Sequence, residues 1–329
     1  MNKRAEVVFI GSGAIASSLG NVLAKDGTKV TLLSIEDEVV KSINEAHINP
    51  KYFPTFQLHP TLTASSDKSA ISAADIVFLA IPSIAVVDYV ITNKDFFGTE
   101  TILVNLAKGF GSDSAIIPDC LKTQIKNPLV SMKGPSFARE IINGQPTAFT
   151  IASENAAISK VLDKLFLNTA IHLDFTTDIR GVEYASILKN IYAIIIGIVD
   201  ASFDSPNLRS LVLSKAINEM RNLMTGFGGQ SQTFFNYCGF GDFSLTALND
   251  LSRNRTLGLL IGKGFFSQDI SEKVVLEGRI AANIFYEQLQ SKGVPESEYP
   301  LLTELYQVFN TSYDIGKFVN NILNDRMQR

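Results

Sequence analysis

Three groups of residues in this 329-residue chain have the types and spacing of a chemical site. The first is Lys189, which stands with Asn190 at the edge of a run, residues 191–199, that contains only aliphatic, aromatic and Gly residues. Burying an unpaired ammonium is costly or drives the lysine to its neutral form. Lys189 therefore needs a partner, a hydrated cleft or a function. The alternative is a lysine whose stem lies along the core and whose head reaches water.

The second group is the Gly-rich sequence GSGAIA at residues 11–16, which follows the apolar run Glu6–Ile10 and opens a segment with helical spacing. A second strand-like run, Lys29–Leu33, comes next, and this order is the setting in which GxGxxA binds a dinucleotide. Gly11 permits the tight turn, Gly13 lets the backbone approach the pyrophosphate, and Ala16 packs helix on strand. The alternative is a turn that only joins strand to helix.

The third group is Ser252, Arg253, Asn254 and Arg255, at the start of a predicted helix for which Ser252 is a good N-cap. Cations at a helix N-terminus have the wrong sign for the helix dipole, so these arginines indicate a bound anion such as a phosphate group. The alternative is a pair of arginines that solvates a surface helix end. Asp242, between small residues upstream, is a further candidate.

Two kinds of scaffold are predicted around these groups. Strand-like runs at 6–10, 29–33, 74–80, 101–105 and 129–132 alternate with helical segments, which predicts an α/β N-terminal Rossmann-like fold with a doubly wound parallel sheet. Ligands of such sheets lie beyond the carboxyl ends of the strands, where residues 81–83, 106–109 and 133–140 fall. Past about residue 179 only helical periodicity remains, at 208–227, 253–263, 274–292 and 301–308. We therefore predict a dinucleotide-binding domain at 1–178 and an all-α substrate domain at 179–329.

Composition limits the possible classes of function. A net charge of −4 and a pI near 5.5 argue against a nucleic-acid-binding surface. Two distant cysteines and three scattered histidines predict neither a disulfide framework nor a metal site. Charged residues interrupt the apolar run around 184–201, so we expect no membrane span and a soluble, cytoplasmic protein. Ser34 and Ile35, followed by acidic residues, leave NAD and NADP both open as cofactors.

The chain resembles the bacterial type of NAD(P)-dependent glycerol-3-phosphate dehydrogenase over nearly its whole length. The resemblance rests on the order and spacing of VVFIGSGAIASSL, LAIPS, NLAKG, GPSFAREI, VEYASILKNIYAI, GFGDFSLT, SRNR and VVLEG. It implies reversible hydride transfer between NAD(P)H and dihydroxyacetone phosphate, which gives sn-glycerol 3-phosphate for phospholipid synthesis. It also implies a homodimer.

The resemblance implies roles for individual residues. Lys189 would be the proton donor and acceptor at the C2 oxygen of the substrate, with Asp242 orienting it and Lys108 between cofactor and substrate. The other substrate-binding residues would be Gly134, Ser136, Thr246, Ser252, Arg253 and Asn254. The cofactor-binding residues would be Gly11, Gly13, Ala14, Ile15, Ile35, Lys108, Ala138, Arg253, Val275 and Glu277.

The chain departs from the family pattern in three places. Tyr184 and Ile187 are bulkier than the residues usual before Lys189, residues 203–207 replace a Gly-rich loop, and Lys215 replaces an arginine. Two other interpretations therefore stay open. One is a related two-domain dehydrogenase that acts on another small 2-keto substrate, and the other is a non-catalytic nucleotide-binding paralogue.

Overall fold

The computed structural model describes residues 5–265 and 277–324. The chain divides into two compact units, of which the first ends at Val182 and the second begins at Glu183. The domain boundary predicted at residue 178 stays a prediction.

The first unit is built on an eight-stranded sheet, counted over the described residues. Its strands are β1 (Glu6–Ile10), β2 (Lys29–Leu33), β3 (Leu62–Ser65), β4 (Ile76–Leu79), β5 (Ile102–Asn105), β6 (Leu129–Lys133), β7 (Thr147–Ala152) and β8 (Ile171–Thr176). They lie in the order β3-β2-β1-β4-β5-β6-β7-β8. Neighbouring strands are parallel throughout, except that β6 and β7 are antiparallel.

Helices connect these strands and cover both faces of the sheet. They are α1 (Ala14–Lys25), α2 (Asp37–Ala46), α3 (Ser83–Thr92), α4 (Ile117–Lys122), α5 (Ala138–Ile142) and α6 (Ala156–Phe166). Side chains alternate across a strand, so Val7 and Phe9 of β1 enter one buried apolar cluster and Val8 and Ile10 enter another. A sheet that is buried on both faces explains the unbroken apolar runs of the sequence and confirms the predicted doubly wound fold.

The sequence predicted five of these strands and did not predict β3, β7 or β8. The antiparallel pairing of β7 with β6 is also a difference from the expected parallel sheet. The connection between them contains only one short helix, α5, of five residues, rather than the full helix that usually carries a parallel crossover. The chain therefore returns directly beside β6.

The described elements of the second unit are helical, which confirms the all-α prediction. They are α7 (Ile179–Ser202), which begins four residues before the division, α8 (Pro206–Gly226), α9 (Asp242–Leu248), α10 (Arg253–Gly262), α11 (Glu277–Ser291), α12 (Pro300–Asn310) and α13 (Phe318–Asn324). The part of the predicted 274–292 helix at residues 274–276 lies outside the described residues.

The long helix α7 is the core of the second unit. Residues 181–199 are buried without interruption. By length and composition alone α7 could cross a membrane, but the stretch that meets this test lies wholly inside the protein. That burial is typical of a core helix, as the sequence predicted.

Helix α10 packs against α7 at backbone distance. A Cβ atom added to Gly258 would lie 2.0 Å from the carbonyl oxygen of Ile194, and one added to Gly197 would lie 2.3 Å from that of Arg255. Only Gly at both positions permits this approach, which explains why a glycine interrupts the aliphatic run of α7. The contact sets the start of α10 beside the helix that carries Lys189.

The buried carboxylate of Glu219 on α8 joins its own helix to α7 and α12. The Tyr192 hydroxyl on α7 donates to Oε1 of Glu219 on α8, at 2.8 Å. The Glu219 carboxylate also accepts from the N–H groups of Leu301 and Leu302, in the first turn of α12, at 3.0 and 2.8 Å. Glu219 therefore caps α12 from a neighbouring helix and satisfies donors that would otherwise be buried without a partner.

Candidate active site

The Gly-rich turn has the geometry that phosphate binding at a helix N-terminus requires. Gly11 has φ +106°, and a Cβ atom there would lie 2.7 Å from the Ala80 carbonyl oxygen. Gly13 precedes α1, and a Cβ atom on it would meet nothing within 4 Å. The backbone N–H groups of Ala14 and Ile15 thus begin a helix beside open space, while Ala16 is fully buried in the core. A pyrophosphate fits this cradle.

A buried asparagine holds the Gly-rich turn in place. The Asn49 amide donates to the Ser12 carbonyl oxygen at 2.8 Å and to Ser17 Oγ at 2.9 Å. The Ser12 hydroxyl donates to Ser34 Oγ at 2.9 Å, which ties the turn to the end of β2. Asn49 was not predicted from the sequence, because it lies in a turn-rich link without periodicity.

The end of β2 is acidic and carries an exposed apolar side chain. Ile35 is 97% exposed. The Glu36 carboxylate accepts a hydrogen bond from Lys51 Nζ at 2.9 Å, and this contact raises the pKa of Lys51. Asp37 and Glu38 occupy the first turn of α2. Three carboxylates, one of them paired with Lys51, thus follow the end of β2, where a ribose would lie in a dinucleotide fold.

Lys108 lies in the loop that follows β5 and reaches the loop that follows β6. Its Nζ donates to the Gly134 carbonyl oxygen at 3.0 Å and lies 3.4 Å from Ser136 Oγ. The Ser136 hydroxyl donates to the same Gly134 carbonyl oxygen at 2.8 Å. A Cβ atom on Gly134 would lie 2.2 Å from the Ala148 carbonyl oxygen, so this position also requires Gly. The structure therefore brings together three predicted substrate-binding residues of the first unit.

A second lysine, Lys133 at the end of β6, reaches back to the backbone around the end of β5. It is fully buried, and its Nζ donates to the carbonyl oxygens of Asn105, at 3.0 Å, and Ala107, at 2.5 Å. The side-chain oxygen of Asn105 accepts from the Ala107 N–H at 3.0 Å. Sequence reasoning missed Lys133, since lysine is almost never fully buried and its place after a strand suggested an exposed loop.

In the second unit, Lys189 is held by a carboxylate and a hydroxyl. Its Nζ donates to Asp242 Oδ1 at 2.6 Å and to Thr246 Oγ1 at 2.9 Å. The Thr246 hydroxyl donates to the Asp242 carbonyl oxygen at 2.7 Å, which leaves a lone pair of Oγ1 to accept from the lysine. The Lys189 and Asp242 side chains are 7% and 1% exposed. Lys189 therefore has a buried partner, which is one of the possibilities that its position in the sequence left open.

Local structure fixes the direction of Asp242. A turn of π-helix, Tyr237–Gly241, leads into α9, which begins with Asp242. A Cβ atom on Gly239 would lie 2.1 Å from the Phe234 carbonyl oxygen, so the turn needs Gly there. Asp242 and Thr246 are four residues apart and share one face of α9, the face turned toward Lys189.

The start of α10 separates the two arginines predicted to bind an anion. Ser252 is the N-cap, and its Oγ accepts from the Arg255 N–H at 3.2 Å. Arg255 is buried and forms ion pairs with Asp200 and Asp250, so its charge is already balanced. Arg253 is exposed and forms no ion pair with any residue that the structure describes. Of the two, Arg253 is the one available to an anion.

Asn254 joins the start of α10 to α7. Its amide Nδ2 donates to Asn190 Oδ1 at 3.0 Å, one residue after Lys189. A Cβ atom on Gly278 of α11 would lie 3.0 Å from both Asn254 Oδ1 and the Asn190 carbonyl oxygen. Glu277, a predicted cofactor-binding residue, is thus adjacent to this group, whereas Val275 lies outside the described residues. Ala138, another predicted cofactor residue, begins α5 in the first unit.

Two of the departures from the family pattern, Tyr184 and Ile187, lie in the core of the second unit. Tyr184 packs against Phe227 and Phe285, with ring centroids 5.5 and 6.0 Å away. It precedes Lys189 by five residues, which is about 140° around the helix. Ile187 is fully buried and about 160° from Lys189. Lys215 Nζ donates to the Ile322 carbonyl oxygen at 2.5 Å, and Ser205 caps α8 after the short connection from α7.

Comparison with known proteins agrees with this geometry along nearly the whole chain. The family profile described as the N-terminus of NAD-dependent glycerol-3-phosphate dehydrogenase matches residues 6–159, and the C-terminus profile matches residues 178–320. The chain belongs to the NAD-dependent glycerol-3-phosphate dehydrogenase family.

Individual relatives show the same extent of similarity. The chain is 30% identical to glycerol-3-phosphate dehydrogenase [NAD(P)+] of Clostridium acetobutylicum, over 96% of each chain. It is 31% identical to the Halothermothrix orenii protein of the same name, over 96% of this chain and 94% of that one. The crystal structure of glycerol-3-phosphate dehydrogenase from Coxiella burnetii superposes with a TM-score of 0.89 at 27% identity, covering 98% and 99% of the two chains.

Family membership confirms the resemblance found in the sequence motifs. This glycerol-3-phosphate dehydrogenase homologue is an NAD(P)-dependent oxidoreductase, and its cofactor is NAD or NADP. Its family acts on a small phosphorylated substrate. The roles assigned above to individual residues stay predictions, and the structure adds Asn49, Lys133 and Asp200 as residues that support them.

Proposed function

We propose that this chain interconverts dihydroxyacetone phosphate and sn-glycerol 3-phosphate, with Lys189 as the proton donor and acceptor at the C2 oxygen. The observation that carries the proposal is the buried Lys189 ammonium, held by the Asp242 carboxylate and the Thr246 hydroxyl. A protein that only binds a nucleotide has no use for such a group. The product would serve as the glycerol backbone of phospholipids.

The chemistry follows from charge development at C2. When bound, the nicotinamide supplies a hydride to C2 of the ketone, and the carbonyl oxygen becomes an alkoxide. The Lys189 ammonium stabilises that charge and transfers a proton to the oxygen, a step worth roughly 10²–10⁴ in rate. The Asp242 carboxylate favours the charged form of Lys189 between turnovers and fixes the direction of its N–H groups. In the reverse direction the neutral amine accepts the proton.

We assign the phosphate group of the substrate to the start of α10. Arg253 offers an exposed guanidinium, and the neighbouring Arg255 cannot compete because Asp200 and Asp250 neutralise it. The Ser252 hydroxyl is engaged as the helix cap, so its part is to set the direction of the first turn. The first N–H groups of a helix favour an anion, and Asn254 holds this turn against Asn190.

We propose further that the enzyme prefers NADH to NADPH. A 2′-phosphate needs a cation at the end of β2, where the structure has the exposed apolar Ile35 and, beside it, Glu36, Asp37 and Glu38. Lys51 is paired with Glu36. The 2′-hydroxyl of NADH adds no charge to this acidic surface, whereas the 2′-phosphate of NADPH adds nearly two negative charges.

The test is to follow the oxidation of NADH and NADPH with dihydroxyacetone phosphate, unphosphorylated dihydroxyacetone, pyruvate and ketopantoate. Turnover with the phosphate ester above all others is expected. Turnover with a different ketone alone would favour the related 2-keto dehydrogenase, and NADH binding without any oxidation would favour the non-catalytic paralogue. Lys189→Met should lose kcat by several orders of magnitude. Lys215→Met, at a lysine bonded to a carbonyl oxygen of α13, is the matched control that keeps most of kcat.

We also propose that the enzyme is a homodimer that acts in the cytoplasm. Exposed apolar side chains on the second unit, including Phe235, Phe240 and Leu211, support an interface. Cys120 and Cys238 form no disulfide bond in the described part of the chain, which supports a reducing compartment. Sedimentation equilibrium measures the mass in solution, and a monomeric mass at micromolar concentration would reject the dimer.

A further inference from the structure

We propose that Lys133 is a positioning residue. It would hold the loop that carries Lys108, and so set where the Lys108 ammonium lies. The proposal rests on the proposed function, in which Lys108 lies between cofactor and substrate. Lys133 itself is fully buried, and its ammonium donates to two backbone carbonyl oxygens. It would act through the loop from which Lys108 extends.

The contacts between the two loops are reciprocal. Lys133, at the end of β6, donates to the carbonyl oxygens of Asn105 and Ala107, on either side of the bend that leads out of β5. Lys108 follows that bend immediately and donates back to the carbonyl oxygen of Gly134, the residue next to Lys133. Each lysine therefore fixes the backbone from which the other extends.

The neighbouring backbone leaves this arrangement little room to change. Gly134 lies so close to β7 that a Cβ atom would be 2.2 Å from the Ala148 carbonyl oxygen. The loop before Lys108 is also held by the Asn105 side chain, which accepts from the Ala107 N–H. On the side of the β5 loop, the long side chain that holds this arrangement is that of Lys133, through its two hydrogen bonds. Without these two hydrogen bonds, the buried carbonyl oxygens of Asn105 and Ala107 lose a charged donor. Because an unsatisfied buried acceptor is costly, the loop would shift until water can bind these oxygens.

We expect loss of the Lys133 ammonium to lower the rate of catalysis more than the stability of the fold. A displacement of about 1 Å in a positioning group can lower the rate about 10²-fold. The Lys108 side chain extends from the displaced loop, so its Nζ would move with the loop. Lys133→Met keeps the length and the apolar stem of the side chain and removes only the ammonium. We expect it to lower kcat/KM for dihydroxyacetone phosphate about 10²-fold and to leave KM for NADH within about threefold.

The decisive experiment is a double-mutant cycle with Lys108→Met. If Lys133 acts through Lys108, Lys133→Met lowers kcat/KM in the wild-type background and has no further effect in the Lys108→Met background. Equal losses in both backgrounds would overturn the proposal, since they would show general damage to the fold. Full activity of Lys133→Met would overturn it as well. Met132→Ala is the matched control, because Met132 is the buried neighbour of Lys133 on β6 and its side chain lies in the apolar core.

Amide hydrogen exchange tests the proposal without any turnover. Lys133→Met should speed exchange at residues 106–109 at least tenfold and leave β1 unchanged, whereas Met132→Ala should not show this local pattern. Unchanged exchange at 106–109 would overturn the positioning role. If the wild-type enzyme fails to reduce dihydroxyacetone phosphate but the exchange result holds, the proposed function is wrong and the loop assignment stands.

Discussion

Asp242→Asn isolates the charge of the carboxylate that holds Lys189. Asparagine has nearly the same shape and keeps an acceptor oxygen, so the ammonium loses its counter-charge and little else. Nζ and Oδ1 are 2.6 Å apart, and both side chains are almost completely buried. With an effective dielectric constant of ~20, the gross attraction at this distance is about 6 kcal/mol. Part of it offsets the desolvation of both groups.

The expected loss follows from the buried position of the pair. Removing one partner of a buried ion pair costs about 3–5 kcal/mol, because it leaves the other charge without compensation. We expect Asp242→Asn to lower the free energy of unfolding by that amount, which is a large part of the ~5–15 kcal/mol typical of a folded protein. Activity should fall at the same time, because the Lys189 ammonium then loses the carboxylate that fixes the direction of its N–H groups.

A double variant separates charge from packing. Lys189→Met/Asp242→Asn removes both charges and should recover most of the stability lost in Asp242→Asn, although it stays inactive. Urea unfolding followed by far-ultraviolet circular dichroism is the appropriate assay, since the chain has no tryptophan. The reasoning is refuted if Asp242→Asn costs less than about 1 kcal/mol, or if the double variant is no more stable than the single one.

Three further predictions concern the phosphate, a buried phenol and the cofactor. Arg253→Ala should raise KM for dihydroxyacetone phosphate at least tenfold, with a smaller change in kcat, as measured by steady-state kinetics. Burial, together with the Glu219 carboxylate, raises the pKa of Tyr192 well above its ordinary value of 10.0. The folded protein therefore keeps this proton while the unfolded chain loses it, and stability falls as the pH rises above about 10; Tyr192→Phe should show less of this fall in urea unfolding at alkaline pH. Ile35→Arg should lower KM for NADPH at least tenfold and leave KM for NADH nearly unchanged.

Each of these predictions has a control within the chain. Arg209→Ala tests loss of an arginine that is paired with Asp200, and it should leave KM for the phosphate ester unchanged. Tyr52→Phe removes an exposed phenol and should not reproduce the alkaline effect of Tyr192→Phe. Equal use of NADH and NADPH by the wild-type enzyme would contradict the cofactor assignment before any variant is made.

The parts of the fold that the sequence predicted are those that local patterns determine. Strands β1 and β2 were predicted with their observed bounds, because each is a run of apolar or β-branched residues that ends at Gly or Ser. Strand β3 is four residues long and half polar, and the pattern of β8 alternates with charged residues. Strand β3 is too short to show a period. Strand β8 does show the apolar–polar alternation of a half-buried strand, and the interpretation of the sequence missed it.

The site was predictable where the environment of a residue was unusual. An ammonium at the edge of an apolar helix needed a partner, and the partner is Asp242, 53 residues later in the chain. The contacts of Asn49 and Lys133 also span tens of residues, but neither residue stands out in its local sequence. Their roles depend on which loops the sheet brings together, and that information lies in the topology of the whole unit.

The glycine contact between α7 and α10 has a consequence for which molecules can react. Lys189 lies on α7 and the proposed phosphate anchor, Arg253, lies on α10, so the span from proton donor to anchor depends on how closely the two helices approach. Where Gly197 meets Gly258, main-chain atoms face one another, and they cannot yield as side chains would. A ketone with one more carbon between its carbonyl and its phosphate would therefore reach either Lys189 or Arg253, but not both. Selection for three-carbon compounds would then come from Gly197 and Gly258, which contact neither the carbonyl nor the phosphate.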